Sequence, residues 1–363
     1  MAVRTPDGAA AGPPGATTGD TPPARRQRRN RFGLALLLLV VVFGVAEVGL
    51  RLTGGVAFRA PPGELPPAVR DALIFRKSEV PGLAYELVPG ASHAAPAGIG
   101  APVQLNSLGF RGPEPLPDGA PRTRIVALGD SFTFGYGVEV QDAWPARLAE
   151  RLSAARRAGE PPVEVLNLGV GGYATHDEAI VLRERALALQ PDLVIVGYAL
   201  NDPDVHPVDP LHEHWYAPAW WQHSAALRKL AELRWAWTLK AFEGDTIRWG
   251  HADPAAWGTV TAAFDDMATA ADAADVPRML VIFPVDYGTP WEHYRYRREH
   301  EQVAAAARAA GFEVLDLLPE YAPHDPDALR VSPDDGHPSP AAHALAADAI
   351  ARRLAERPEL LRP

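Results

Sequence analysis

The sequence predicts an α/β protein: a flavodoxin-like, three-layer α/β/α domain built on a five-stranded parallel sheet, preceded by one N-terminal transmembrane helix. Three observations predict it. From residue 121 onward, five short, β-branched apolar runs alternate with alanine-rich amphipathic stretches. The runs are apolar almost throughout, as strands covered on both faces must be. Ahead of them, a basic run leads into an apolar stretch of bilayer length.

The N-terminal element comes first. Residues 1–31 are rich in Pro, Gly, Ala and Thr and carry Arg25, Arg26, Arg28, Arg29 and Arg31 near their end. This is the composition of a disordered basic tail. Phe32 to Ala46 is unbroken apolar sequence, and counting on through Glu47 to Leu50 gives 19 residues, about 28 Å of helix. That length spans a bilayer core if Glu47 lies near the far interface. Arginines on the leading side predict a single-pass anchor at 32–50 with its N-terminus in the cytoplasm and the remainder outside. A cleavable signal peptide, cut near Gly55-Val56-Ala57, is the competing reading, and the apolar run is long for one. A buried core helix is disfavoured, because five arginines precede the run and it has no polar face.

Composition narrows the chemistry. A net charge of −10 argues against nucleic acid as a partner, since phosphate binding needs a basic face. The chain has no cysteine, which excludes disulfides, thiolate metal sites and a lipid-modified cysteine anchor. Residues 51–120, rich in Pro and Gly, form a lead-in with extended pieces at 82–88 and 103–106, expected to pack on the main domain as a small β element.

The main domain is expected over 121–357. Its strands are read at 124–128, 163–168, 193–198, 279–283 and 313–317, and its helices at 142–157, 176–189, 254–275, 292–310 and 339–356. Right-handed crossovers turn such an alternation into a doubly wound sheet. In these sheets ligands bind beyond the carboxyl ends of the strands. An irregular insertion or cap, 203–253, interrupts the alternation after the third strand.

Four strand ends carry candidate chemistry. Gly129-Asp130-Ser131-Phe132-Thr133-Phe134-Gly135-Tyr136-Gly137 follows the first strand. It reads as a plain turn, as a glycine-rich phosphate loop, or as a tight turn presenting a serine nucleophile. The phosphate reading lacks both the lysine and the glycine spacing it needs. Asn167 to Thr175 follows the second strand, and its Gly172 can bring a backbone N–H close to a developing oxyanion. Asn201 ends the third strand and can donate to the same oxygen. Near the carboxyl terminus, Asp334-Asp335-Gly336-His337 precedes Ser339 and Pro340, an N-cap and first-turn proline for the last helix. A histidine oriented by a carboxylate can take a serine proton.

Gly129-Asp130-Ser131, Gly172, Asn201 and Asp335-Gly336-His337 together resemble the four sequence blocks of the SGNH (GDSL) hydrolases, over about residues 124–350. The resemblance implies a serine esterase or acylhydrolase that needs no metal or organic cofactor. In it, Ser131 is the nucleophile and His337 its base. The oxyanion hole is Ser131, Gly172 and Asn201, the first two through their N–H groups. Two departures stand out. The first block usually continues in leucine-rich sequence, whereas this chain has Phe132 to Gly137. The usual acid lies three residues before the histidine, which selects Asp334. Membrane-anchored relatives with an Asp-Gly-His run select Asp335, the expectation adopted here.

Other candidates rank lower. His206, His212, His214 and His223, with Asp204, Asp209 and Glu213, lack a complete metal-ligand spacing and read as a solvated loop. The tryptophans between Trp215 and Trp257 fit core packing first, and alternatively a sugar or acyl pocket, a helical cap or a membrane surface. The reading is therefore hydrolysis or transfer of an acyl ester through a covalent acyl-serine, on an envelope glycan or lipid. A non-catalytic glycan-binding protein on the same fold is the alternative from another class, and nucleotide binding at 129–137 is a third.

Overall fold

A computed structural model of the chain describes residues 23–53, 74–94, 100–117, 119–203 and 220–361. The first part of the basic tail, the candidate cleavage site at Gly55–Ala57 and the histidine-rich stretch 204–219 lie outside these residues.

The N-terminal helix runs from Pro23 to Thr53. Within it, Arg28–Thr53 is the one span among the described residues long and apolar enough to cross a bilayer. The helix begins before the apolar run because Arg and Gln are themselves good helix formers. Its apolar side chains, Leu36 to Val42 among them, are exposed rather than packed. The helix groups with residues 224–227 as a compact unit of its own.

The rest of the described chain is built on one sheet. Four short strands come first: β1 (Phe75–Lys77), β2 (Tyr85–Leu87), β3 (Ser92–His93) and β4 (Val103–Gln104). They pair as two antiparallel hairpins, β1 with β2 and β3 with β4. The main strands follow: β5 (Thr123–Gly129), β6 (Val163–Asn167), β7 (Leu193–Ala199), β8 (Arg278–Phe283) and β9 (Glu313–Asp316). All four pairings are parallel and the order is β6-β5-β7-β8-β9. This is the flavodoxin-like arrangement, whose switch point lies between β5 and β7. Every residue of β5 and β7 is buried, which is why their runs carry no polar alternation.

Helices cover both faces. Trp144–Ala154 packs against Pro340–Glu356, while Thr175–Val181 packs against Pro254–Ala273, which also meets Arg297–Ala309. Their starts follow from local chemistry. Ser339 accepts from the Ala342 N–H and Asp253 from those of Ala255 and Ala256, each ahead of a proline in the first turn. Ile74, Leu83, Tyr85, Leu87, Val103 and Leu105 join the same apolar cluster as β5 and β7. The lead-in strands thus share the core of the sheet.

Three differences from the sequence reading have physical causes. The helix expected over 176–189 is α-helical only to Val181, then widens into a π-helical turn over Leu182–Ala186 and a 3-10 turn over Leu187–Leu189. The wider turn keeps Leu182 and Ala186 buried while Arg183, Glu184 and Arg185 stay in solvent. The described part of the irregular stretch is helical, with Ala225–Leu239 and Thr246–Ala252. Its Trp235 and Trp249 meet edge to face at 4.4 Å, a packing that indole spacing alone does not reveal. Finally, the segment before the last helix is a hairpin, β10 (Arg330–Ser332) with β11 (Asp335–Pro338). Proline and glycine in this stretch hide it from a propensity reading.

Candidate active site

The site forms where β5 ends. Gly129 has φ +150°, and a Cβ there would lie 2.1 Å from Thr133 Oγ1 and 2.8 Å from the Gly197 carbonyl oxygen. Only glycine lets the chain turn this close to β7. Asp130 then caps a single helical turn, Ser131–Phe134, its Oδ1 accepting from the Phe132 N–H at 2.8 Å. The other oxygen of Asp130 accepts from Asn201 Nδ2 at 3.1 Å. Burial pushes the Asp130 carboxyl above its ordinary range, and the bonds from Phe132 and Asn201 work against that rise.

Ser131 Oγ lies 2.9 Å from His337 Nε2, and His337 Nδ1 lies 2.6 Å from Asp335 Oδ1. The same Asp335 oxygen accepts from the His337 backbone N–H at 3.0 Å. Asp335 and His337 are two apart on β11, so their side chains share one face. Asp334, one residue earlier, is in the hairpin turn and exposed, with its N–H donated to Ser332 Oγ. Partial burial, the largest influence on the Asp335 carboxyl, pushes it up. The two hydrogen bonds and the charge of His337 outweigh that and hold it below the ordinary range.

Gly172 (φ +81°) and Asn201 follow the carboxyl ends of β6 and β7, the two neighbours of β5. Ser131, Gly172 and Asn201 therefore stand at three adjacent strand ends, around the switch point of the sheet. Asn201 is tied to Asp130 by one amide hydrogen, and an NH₂ group has a second.

Several residues here carry no motif. The Tyr136 ring stacks on the His337 imidazole at 5.2 Å and 26°, and the Phe132 ring lies tilted against it at 5.6 Å and 55°. These aromatics occupy the stretch where the first block departs from leucine-rich sequence. Burial, and then the nearby Asp130, push the Tyr136 hydroxyl up to about 12, with Arg111 opposing. That phenol is neutral at physiological pH. Behind the loops, Asp202 accepts from the N–H and hydroxyl of Thr175. Burial, then Asp202, Asp130 and Asp177, raise the Glu178 carboxyl well above its ordinary range.

Of the histidines weighed as metal ligands, His223 is described and exposed, and the other three lie outside the described residues. Among the described residues no group of three or more His, Asp or Glu side chains is arranged to hold a metal ion.

With this geometry in hand, comparison with known proteins decides the family. The sequence matches the GDSL-like lipase/acylhydrolase family over residues 127–345. The chain belongs to that family. The matched GDSL region contains Ser131, Gly172, Asn201, Asp335 and His337, and begins after the lead-in strands. Solved structures similar to it include a lipase/acylhydrolase from Enterococcus faecalis, at 19% identity and a TM-score of 0.40, with 66% of this chain and 98% of that chain covered. The esterase EstA from a Pseudoalteromonas species is 14% identical at a TM-score of 0.40, with 65% and 99% covered. A two-domain esterase active on acetylated mannans is 17% identical at a TM-score of 0.41, with 67% of this chain and 51% of that chain covered. No curated protein sequence matches the chain.

Proposed function

We propose that this GDSL-family chain is a serine esterase that acts through an acyl-serine intermediate. The observation that carries the reading is the continuous hydrogen-bonded chain Ser131–His337–Asp335 at the switch point of the sheet. As the Ser131 oxygen bonds to the ester carbonyl carbon, its proton passes to His337 Nε2. The carbonyl π pair moves onto oxygen, facing the N–H groups of Ser131 and Gly172 and the free amide hydrogen of Asn201. Asp335, ionised, stabilises the imidazolium and fixes the tautomer through Nδ1. Collapse expels the alcohol, which takes the proton from His337. Water, deprotonated by the same nitrogen, then releases the carboxylic acid and restores Ser131. No step in this scheme calls on a metal or organic cofactor. Each oxyanion donor of this kind contributes about 3 kcal/mol.

The substrate we assign is an acyl ester on an envelope glycan or lipid, with an acceptor alcohol in place of water making the same site a transferase. Support for the placement is the apolar helix Arg28–Thr53 behind a basic tail, oriented with the tail inside. The test is hydrolysis of an aryl acetate by the purified chain against its Ser131→Ala variant. Turnover is expected in the first and none above background in the second. Equal turnover in both would remove Ser131 from the mechanism.

A further inference from the structure

The lead-in strands precede the family match, which starts at residue 127, yet they reach the loop that carries Gly172. Tyr85, on β2, is buried, and its hydroxyl donates to the Gly171 carbonyl at 2.8 Å. Tyr173, also buried, donates its own hydroxyl back to the Tyr85 carbonyl at 2.5 Å. The two rings are 5.3 Å apart, and Phe75 on β1 packs edge-on against Tyr85 at 5.5 Å. A Cβ at Gly172 would lie 2.6 Å from the Tyr85 hydroxyl oxygen, so glycine at 172 is what admits the tyrosine.

The geometry of one peptide unit gives this contact its meaning. The Gly171 carbonyl and the Gly172 N–H belong to the same planar trans peptide and point in opposite directions. Whatever holds the carbonyl aims the N–H. The unit lies between two glycines, the residues that resist rotation of a peptide plane least. Its direction must therefore be imposed from outside, and on the carbonyl side the Tyr85 hydroxyl imposes it. Accepting that bond also polarises the peptide, which strengthens the N–H as a donor.

We infer that Tyr85 is a positioning residue of the active site: by holding the Gly171 carbonyl, its hydroxyl fixes the direction of the Gly172 N–H toward the oxyanion. The inference rests on the esterase reading above. It turns the lead-in from a spacer into part of the catalytic body. A second tether points the same way. The buried Arg111 guanidinium donates to the carbonyls of Phe134 (2.8 Å), Gly135 (2.5 Å) and Val138 (2.7 Å), and to Pro102 (3.1 Å). It thus binds the turn that carries Tyr136, and its own N–H donates to the Asn167 carbonyl at the end of β6.

The test compares two full-length variants that each lose one buried hydroxyl. Tyr85→Phe keeps the ring and frees the Gly171 carbonyl. Tyr173→Phe keeps the ring and removes the return bond, leaving the 171–172 peptide held. Both are expected to lower Tm by similar amounts. Tyr85→Phe is expected to lower kcat on an aryl acetate about ten-fold with KM within two-fold, less than outright loss of an oxyanion donor. It should weaken an aryl boronic acid, whose serine adduct carries the oxyanion, by the same factor. Tyr173→Phe should change both by less than about three-fold. Wild-type kcat and boronate affinity in Tyr85→Phe, or equal losses in the two variants, would overturn the inference. Fluorophosphonate labelling of the wild type reports on the esterase reading separately. A wild type that neither labels nor turns over overturns both, whereas a labelled wild type with an indifferent Tyr85→Phe overturns this inference alone.

Discussion

Two histidines in this molecule sit in the same kind of hydrogen-bonded chain. His337 joins Asp335 at 2.6 Å to the Ser131 hydroxyl at 2.9 Å. His300 joins Asp316 at 2.8 Å to the Tyr294 hydroxyl at 2.9 Å. Carboxylate, imidazole and hydroxyl appear in both, yet their surroundings assign them different work. His300 is 1% exposed, on the helix Arg297–Ala309, and Tyr294 also accepts the Val285 N–H. Burial raises the Tyr294 hydroxyl far above its ordinary range, and the same burial leaves it out of reach of a substrate. That chain ties the segment after β8 to the end of β9. His337 is half-buried, on a hairpin facing the switch point, and its hydroxyl partner opens a turn beside two further strand ends. A His–carboxylate–hydroxyl series therefore does not mark a site; access and neighbouring N–H donors do.

Mutation should separate the two sharply. The largest effect is expected from Ser131→Ala or His337→Ala: a loss of roughly 10⁴-fold or more in kcat, with Tm little changed by circular dichroism. His300→Ala should do the reverse, costing about 2–4 kcal/mol of stability by leaving buried polar groups unpaired. Its kcat, measured below the transition, should stay near wild type. Loss of stability in both, or loss of turnover in both, would erase the distinction.

Next comes the carboxylate. Asp335→Asn is expected to cut kcat/KM by about 10³- to 10⁴-fold, and Asp334→Asn by less than about two-fold, on the same aryl ester. A severe loss only in Asp334→Asn would move the orienting role to the hairpin turn. The pH dependence of stability gives an independent reading. A carboxyl held below its ordinary range in the folded state contributes stability above that range and loses it as the pH falls through the folded value. The stability gap between wild type and Asp335→Asn should therefore shrink as the pH falls below about 4, as followed by urea titration. Smaller still is the ring stack. Tyr136→Leu should lower kcat/KM about three- to ten-fold by freeing the imidazole, within the range of an aromatic contact. Tyr136→Phe should stay near wild type. The smallest effect is expected for Tyr294→Phe, about 1 kcal/mol of stability and no change in turnover.

The sheet is legible in the sequence because parallel strands buried on both faces announce themselves as short apolar runs. Leu193 to Ala199 shows this, with all seven residues buried. Ser131, Gly172, Asn201 and the Asp334–His337 run can be picked out for a related reason: each lies just past such a run or before a well-capped helix. The choice between Asp334 and Asp335 is less local: residue order offers both, the resemblance to membrane-anchored relatives favours Asp335, and the shared strand face of Asp335 and His337 is visible only in the hairpin. Tyr85 and Arg111 escape a reading of residue order. Tyr85 meets a carbonyl 86 positions away, and Arg111 reaches the turn at Phe134 from 23 positions upstream. Their side chains address backbone atoms, which leave no residue-type signature. Tyr136 was visible only as a departure from leucine-rich sequence, and its meaning depends on where the His337 ring lies. The hairpin β10–β11 is hidden for another reason, since Pro333 and Gly336 read as loop until the register of Asp335 and His337 is known.

The central claim is that Ser131 is the nucleophile of a serine esterase. It is tested most directly by exposing the purified full-length chain to a fluorophosphonate and locating the adduct by peptide mass spectrometry. One phosphonyl group per chain on Ser131 is expected, with aryl acetate turnover lost in step with labelling and no labelling in His337→Ala over the same interval. An unlabelled Ser131 in a chain that still turns over the ester, or an adduct on another residue that tracks the loss of activity, would contradict it.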